Sequence, residues 1–187
     1  MQGVVAAGPE PRHVALLRGV NVAGRSKIAM AELRAVLRAS GFTGVSTYLQ
    51  SGNVLLDAPV AHSEAVGPAI ESAIATALGL EVKVLIRSAA ELTTIVACNP
   101  LGAEPDSPAR YFVTFLSRAA DPNLAPEIES LASGDDRLWI RGAEAYLWCL
   151  SGFSGLRLIS RIEKRLAMRA TTRNWHTVRR LEALARA

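Results

Sequence analysis

Apolar and polar residues recur along this chain with two periods, one typical of strands and one typical of helices. The apolar run at 13–18 predicts a buried strand, and the alternating segment 81–87 predicts another. Between them, apolar residues at helical spacing over 30–40 predict an amphipathic helix. Two short runs at 45–49 and 53–57 flank a tight turn and predict a β-hairpin.

A second helix is predicted before the strand at 81–87, and two starts are open for it. Ser63 can cap a longer helix, whereas Pro68 favours the first turn of a helix over 69–78. Residues 88–98 begin with a Ser-x-x-Glu capping box and predict a third helix. The proline-rich segment 99–109 fits neither period and is predicted to be a linker.

The second half of the chain contains the same kinds of element. Asp121 followed by Pro122 is typical of the beginning of a helix. The predicted strands are 111–117, 137–141 and 145–150, and the predicted helices are 121–133, 156–167 and 175–185.

The order of these elements indicates the fold. Residues 13–87 follow the order β-α-β-β-α-β, and residues 111–167 follow β-α-β-β-α. We therefore predict an α+β chain of two ferredoxin-like (split βαβ) halves, in which the first and third strands of each half lie side by side. The predicted domains are 12–98, including the linking helix, and 110–187, including the last helix.

The split βαβ order also predicts which turns meet. Because the third strand lies antiparallel between the first two, Arg18–Asn21 and Gln50–Asn53 are expected at one edge of the sheet. Two interpretations are open. The polar side chains either bond to each other's turns or line a small pocket that binds an anion or the edge of a nucleotide.

Composition excludes several classes of protein. Half of the residues are hydrophobic and 20% are charged, which is typical of a globular chain and not of a disordered one. No apolar run approaches the length of a membrane span. Two cysteines and three scattered histidines exclude a disulfide scaffold and disfavour a metal or haem site, so no cofactor is predicted. Residues 1–11 resemble no targeting peptide and are expected to form a loose tail, so a cytoplasmic protein with free thiols is expected.

Charge is concentrated at one end of the sequence. Residues 157–187 contain nine Lys/Arg against two Asp/Glu, whereas residues 1–156 carry a small net negative charge. Such asymmetry fits contact with nucleic acid or phosphate, and it equally fits solvated helices on an acidic body.

Three groups of residues occur in the order found in a known family. They are 16–22 (LLRGVNV) with Lys27-Ile28 and 30–33 (MAEL), Thr47-Tyr48 with 50–54 (QSGNV), and 171–175 (TTRNW) with Thr177-Val178. Over about 13–185 the chain thereby resembles the bacterial domain of unknown function family 1697. The resemblance implies a two-part α+β fold with ferredoxin-like halves and carries no established activity. This chain has Ala23, Arg25 and His176 where the family often has Gly, Lys and Asn, and 152–158 lacks a lysine that is frequent there.

The loop at 19–26 differs from a nucleotide-binding P-loop only by Arg25 in place of lysine. The predicted helix starts too late for that motif, and the strand order is not that of a P-loop sheet. The remaining interpretations are a plain connecting loop or an anion site formed by Arg18, Arg25, Lys27 and loop amides.

The segment 171–175 leads into the last predicted helix. Thr172 or Asn174 can cap that helix, and Arg173 beside its first N–H groups would hold a phosphate or carboxylate. Alternatively, Arg173 forms an internal ion pair while Trp175 anchors the helix.

The remaining side chains suggest no catalytic group. Asp135 and Asp136 are expected at a turn, and Glu127 and Glu129 on a solvent face. His176 has no partner fixed by sequence. Cys149 is expected to be buried, and Cys98 lies at the negative end of a helix.

Three function classes therefore stay open, and whether the chain is an enzyme is undecided. The first is a binding module for an anionic small molecule or nucleic acid; the second is an enzyme on a nucleotide-like or phosphorylated substrate; the third is a structural protein or homodimer. No membrane partner is expected. The predicted ligand-binding residues are Arg18, Asn21, Lys27, Gln50, Ser51, Asn53, Thr172, Arg173 and Asn174.

Overall fold

The computed structural model describes residues 11–22, 27–58, 63–102, 105–150 and 154–187. The strands are Arg12–Leu17 (β1), Thr43–Tyr48 (β2), Asn53–Asp57 (β3), Val84–Ser88 (β4), Tyr111–Leu116 (β5), Arg137–Arg141 (β6), Glu144–Trp148 (β7) and Ala170–Asn174 (β8). The α-helices are Met30–Ala39 (α1), Ser63–Leu78 (α2), Ala89–Ala97 (α3), Ala125–Glu129 (α4), Ser154–Leu166 (α5) and Trp175–Arg186 (α6).

The chain forms two compact units, one reaching to Ala89 and the other spanning Ala90–Ala185. The contacts group α3 with the second unit, whereas the sequence analysis places 88–98 with the first half. A buried hydrogen bond of 2.7 Å from the Tyr146 hydroxyl to the Ile95 oxygen joins α3 to β7 of the second unit.

The first unit contains a four-stranded sheet in the order β2-β3-β1-β4. β1 pairs antiparallel with both β3 and β4, and β2 pairs antiparallel with β3. This is the ferredoxin-like arrangement, so the predicted α+β fold is confirmed, including the first and third strands side by side.

The core of the first unit lies between one face of the sheet and α1 and α2. Leu33 and Leu37 of α1 and Ile70 and Ile74 of α2 are fully buried there. The sequence favours Pro68 in the first turn of the second helix, and this is wrong because α2 begins at Ser63 and contains Pro68 in its interior. The extra turn buries Val66 on the stripe of Ile70 and Ile74. That burial is worth about 1.5–3 kcal/mol, which offsets most of the cost of about 3 kcal/mol that proline imposes in a helix interior through a lost hydrogen bond and a steric clash.

The second unit has the same sheet order, β6-β7-β5-β8, and β5 and β7 again lie side by side. One face packs against α4 and α5 through a cluster that includes Leu116, Leu147 and Ile162. The helix predicted over 121–133 is shorter than expected. A 3-10 turn at Pro122–Leu124 leads into α4, which ends at Glu129, where the Ser130 hydroxyl donates back to the Glu127 oxygen.

The segment 170–174 is a strand, β8, and not the opening of a helix as the sequence analysis proposed. It pairs antiparallel with β5, with Thr172 opposite Thr114 and Arg173 opposite Val113. It completes a β-α-β-β-α-β order in the second half as well. The following helix α6 begins with Trp175, which is buried with its ring centroid 5.1 Å from that of Tyr111.

Candidate functional site

The two polar turns of the first unit meet at one edge of the sheet, as the sequence predicts. The Leu17 N–H donates to the Gly52 oxygen at 2.8 Å, and the Asn21 side chain donates to the Gln50 oxygen at 2.7 Å. The loop after β1 and the β2–β3 hairpin are therefore in direct contact.

Asn21 is the centre of this contact. Its Nδ2 donates to the main-chain oxygens of both Gln50 and Ile28, and its Oδ1 accepts the Ile28 N–H at 3.0 Å. It adopts a left-handed backbone conformation with φ of 55°, which asparagine tolerates better than most residues. Because both amide hydrogens and the oxygen are engaged, Asn21 holds the loop ends together and has little capacity left for a ligand.

Asn53 and Ser51 also form hydrogen bonds within the β2–β3 hairpin. Asn53 is fully buried, and its Nδ2 donates to the Tyr48 oxygen at 2.9 Å and to the Ser51 hydroxyl at 3.2 Å. For these two residues and Asn21, the hydrogen bonds match the interpretation in which the side chains satisfy the turns.

An open depression of about 390 Å³ lies beside the contact of the two turns. It is lined by Asn21, Lys27, Ile28, Ala29 and Gln50. Three of these were predicted from the sequence, whereas Ile28 and Ala29 were missed because apolar residues offer only main-chain groups. One sequence signal could have identified them: helical spacing starts at Met30, and the residue before it, Ala29, is not of a capping type.

The N-terminus of α1 adjoins this depression. Ala29 occupies the N-cap position and supplies no side-chain hydrogen bond, and the first intrahelical bond is that of the Leu33 N–H to the Ala29 oxygen. The N–H groups of Met30, Ala31 and Glu32 thus precede the first intrahelical donor, the Leu33 N–H. Such groups carry the partial positive charge of a helix N-terminus.

The sequence predicts three cations in this loop region, namely Arg18, Arg25 and Lys27. Lys27 is exposed and lines the depression, and no carboxylate within the described part of the chain pairs with it. Arg18 is exposed at the same edge, where its N–H donates to the Lys83 oxygen at 2.8 Å. Residues 23–26, and with them Arg25 and most of the P-loop-like motif, lie outside the described residues.

A second depression of about 660 Å³ runs between α1 and α2 of the same unit. It is lined by alanines with a valine, serines and a threonine, and no charged side chain contributes to it. Its lining gives hydroxyl groups but no charged anchor for an anionic ligand.

The predicted residues of the C-terminal segment lie in the second unit and have other partners. The Asn174 side chain caps α6 by accepting the Thr177 N–H at 2.9 Å, and Thr172 shares a hydrogen bond of 2.8 Å with Thr114. Arg173 is buried in β8 and donates to the Thr171 hydroxyl and the Thr172 oxygen. Burial lowers the pKa of Arg173 to about 10.

The basic C-terminal segment does not form one surface. α5 packs on the face of the second sheet that holds Leu116, whereas Trp175 of α6 contacts Tyr111 on the opposite face. Part of the positive charge is also used internally, because Arg165 makes a bidentate ion pair with Glu127. The hydrogen bond from Arg165 lowers the pKa of that carboxyl group.

The other candidate groups lack the arrangement of an active site. Asp135 lies in a turn, as expected for the Asp135-Asp136 pair, and Asp136 follows it directly before β6 and is 5% exposed. Burial, with a smaller contribution from Asp136, raises the pKa of the Cys149 thiol to about 11, which disfavours a thiolate. In the described ranges, no group of His, Cys, Asp and Glu side chains is placed to hold a metal ion. No described helix is long and apolar enough to cross a bilayer.

Comparisons with known proteins place the chain in a family. A search of curated proteins finds no match. The conserved bacterial protein SP0830 from Streptococcus pneumoniae has a similar structure, with a TM-score of 0.70 and 23% sequence identity over 95% of this chain and 99% of that chain. At this identity the likeness concerns the fold alone. The family model described as "Protein of unknown function (DUF1697)" matches residues 11–146, well over half of the sequence. The chain belongs to the DUF1697 family.

Proposed function

We propose that the chain is a binding module for a small phosphate-bearing molecule, which it takes up in the depression at the N-terminus of α1. The observation that carries the proposal is the position of Lys27 at a helix N-terminus whose N-cap residue, Ala29, supplies no side-chain hydrogen bond, in a depression of about 390 Å³. A volume of this order matches sites for small molecules.

Three kinds of group favour an anion there. The N–H groups of Met30, Ala31 and Glu32 are donors at the positive end of the helix dipole. Lys27 adds a full positive charge, and the exposed Gln50 side chain adds a neutral donor. Asn21 fixes the two turns on which these groups lie.

Binding is a better match to this depression than catalysis. Among the described residues that line it, Lys27 is the one ionisable side chain, and none is a carboxylate, thiol or imidazole. General acid–base or nucleophilic chemistry would need a second positioned group. The enzyme hypothesis therefore has less support than a binding module.

A small ligand is also favoured over nucleic acid. A polyanion is held by a continuous basic surface. Here the cations of α5 and α6 are divided between two faces of a sheet, and Arg165 and Arg173 are engaged within the protein.

Calorimetric titration of phosphate monoesters into the wild-type chain and two lysine variants tests the proposal. Lys27→Ala should weaken binding about fivefold to tenfold, whereas Lys164→Ala, which removes an equally exposed lysine from α5, should leave it unchanged. Equal losses from both variants would mean that surface charge alone attracts the ligand. The absence of binding to the wild-type chain would refute the proposal.

A variant that removes a negative charge from the first turn of α1 provides a second test of the proposal. Glu32 lies in the first turn of α1, where its carboxylate repels an anion at the helix N-terminus. Glu32→Gln should strengthen phosphate binding about twofold to fivefold. Glu64→Gln, in the first turn of α2, is the matched control and should not alter affinity.

A further inference from the structure

The outer strands of a sheet expose main-chain N–H and C=O groups that an extra strand could pair with. β2 and β4 are the outer strands of the first sheet, and β6 and β8 those of the second. In this protein charged side chains bind several of these outward groups.

The outer edge of β6 is the most complete case. The Ala143 oxygen accepts the Leu116 N–H, and alternate residues of an antiparallel strand direct their main-chain groups to the same side, so those of Ala145 also point to β5. Ile140 of β6 is paired with Ala145, and its N–H and C=O groups therefore point away from β7, at the outer edge of the sheet. The Ile140 N–H donates to Oε1 of Glu129 at 2.8 Å, and the Ile140 oxygen accepts from Nη1 of Arg141 at 2.7 Å. Nη1 of Arg141 lies 3.3 Å from the same Oε1, so the ion pair satisfies both outward groups.

Some main-chain groups of the other outer strands also bind charged side chains. At β4, Glu71 accepts the Val84 N–H at 2.9 Å and Arg87 donates to the Ile86 oxygen at 2.9 Å. At β8, Arg173 donates to the Thr172 oxygen at 2.8 Å in the same manner as Arg87. At β2, Arg38 of α1 donates to the Val45 oxygen at 2.8 Å.

We propose that the Glu129–Arg141 ion pair closes the outer edge of β6 to an added strand from a second copy of this chain. The pair occupies the donor and the acceptor that such a strand would need at Ile140. Charged side chains also bind an outward donor and an outward acceptor of β4 and an outward acceptor of β8, so the same device recurs in both units. Self-association through the sheet edges is therefore suppressed in the native chain.

Sedimentation velocity over a range of concentrations tests the proposal on the full chain. The double variant Glu129→Ala, Arg141→Ala should raise the self-association constant about tenfold or more, since it frees one main-chain donor and one acceptor to pair with a new strand. The matched control is Glu127→Ala, Arg165→Ala. This control also removes an ion pair of helix α4, but one whose side chains bond to each other and not to the edge of β6. The control variant should associate as the wild type does.

Hydrogen exchange of the Ile140 amide gives a local measurement that does not depend on association. The wild-type amide should be protected by Glu129, and Glu129→Ala should accelerate its exchange about tenfold, whereas Glu129→Gln keeps an acceptor oxygen and most of the protection. If the double variant is folded by circular dichroism and associates no more than the control, the proposal is wrong. Fast exchange of Ile140 in the wild type would also overturn it, even if the double variant fails to fold.

Discussion

The Asn21 side chain donates a hydrogen bond of 2.7 Å to the main-chain oxygen of Gln50, 29 residues further along the chain. The same amide also binds both main-chain groups of Ile28. One residue therefore fixes the loop after β1, the residues before α1 and the β2–β3 hairpin. Asn21 is accordingly a positioning residue of the candidate site, and the proposed function assigns contact with a ligand to Lys27, Gln50 and the start of α1.

Replacing Asn21 with alanine should lower the free energy of unfolding by about 1–3 kcal/mol, because three hydrogen bonds worth about 1 kcal/mol each are lost from a half-exposed site. Urea denaturation measures the change. Gln50→Ala is the control, since the bond uses the Gln50 main chain, and it should change stability by no more than about 0.5 kcal/mol. Equal effects of the two variants would show that the Asn21 amide does not hold the turns.

Two glycines in equivalent hairpins should respond differently to alanine. Both Gly52 (φ 74°) and Gly142 (φ 58°) have left-handed backbone, so each variant incurs a conformational cost of about 1 kcal/mol. A Cβ on Gly52 would lie 2.8 Å from Cβ of Leu17, whereas a Cβ on Gly142 would meet nothing within 4 Å. Gly52→Ala should therefore be more destabilising by about 1–3 kcal/mol. Comparable melting temperatures would contradict the packing of the hairpin against β1.

Arg173→Ala tests whether this residue is structural or binds a ligand. Because the guanidinium is buried and donates to Thr171 and Thr172, we expect the variant to lose about 2 kcal/mol or more of stability. Arg180→Ala, an exposed arginine of α6, should lose no more than about 0.5 kcal/mol. A stable Arg173→Ala variant with weakened phosphate binding would instead support the anion site predicted from the sequence.

The free energy of unfolding should fall as the pH becomes alkaline. Burial raises the pKa of the Tyr146 phenol above its usual range and that of Cys149 to about 11. The unfolded chain releases these protons at lower pH than the folded chain, so the stabilisation is complete below about pH 9 and is lost as pH rises towards the folded pKa values.

Urea denaturation at about pH 8 and about pH 10.5 measures this dependence. Tyr146→Phe should be less stable at the lower pH, since it loses the bond to the Ile95 oxygen, yet its stability should fall less between the two values. Parallel pH profiles for the variant and the wild type would contradict the assignment of the loss to Tyr146.

The sequence by itself determined most of the elements and their pairing. Strand and helix periods are local properties, so α1 and β3 occur where the pattern predicts them. The order of elements then restricts the topology, because a split βαβ unit places its third strand beside its first. For that reason the meeting of the Arg18–Asn21 and Gln50–Asn53 turns was predictable.

The tertiary structure alone decided what each polar side chain does. The Asn21 amide is saturated because Ile28 and Gln50 are brought to it from 7 and 29 residues away. Arg173 lies in a strand because β8 pairs with β5, whose residues precede it by about 60 positions. The start of α2 at Ser63 depends on a core position for Val66. Such long-range pairing and burial override local preference, so the sequence identified the polar residues of the candidate site but not which of them remain available to a ligand.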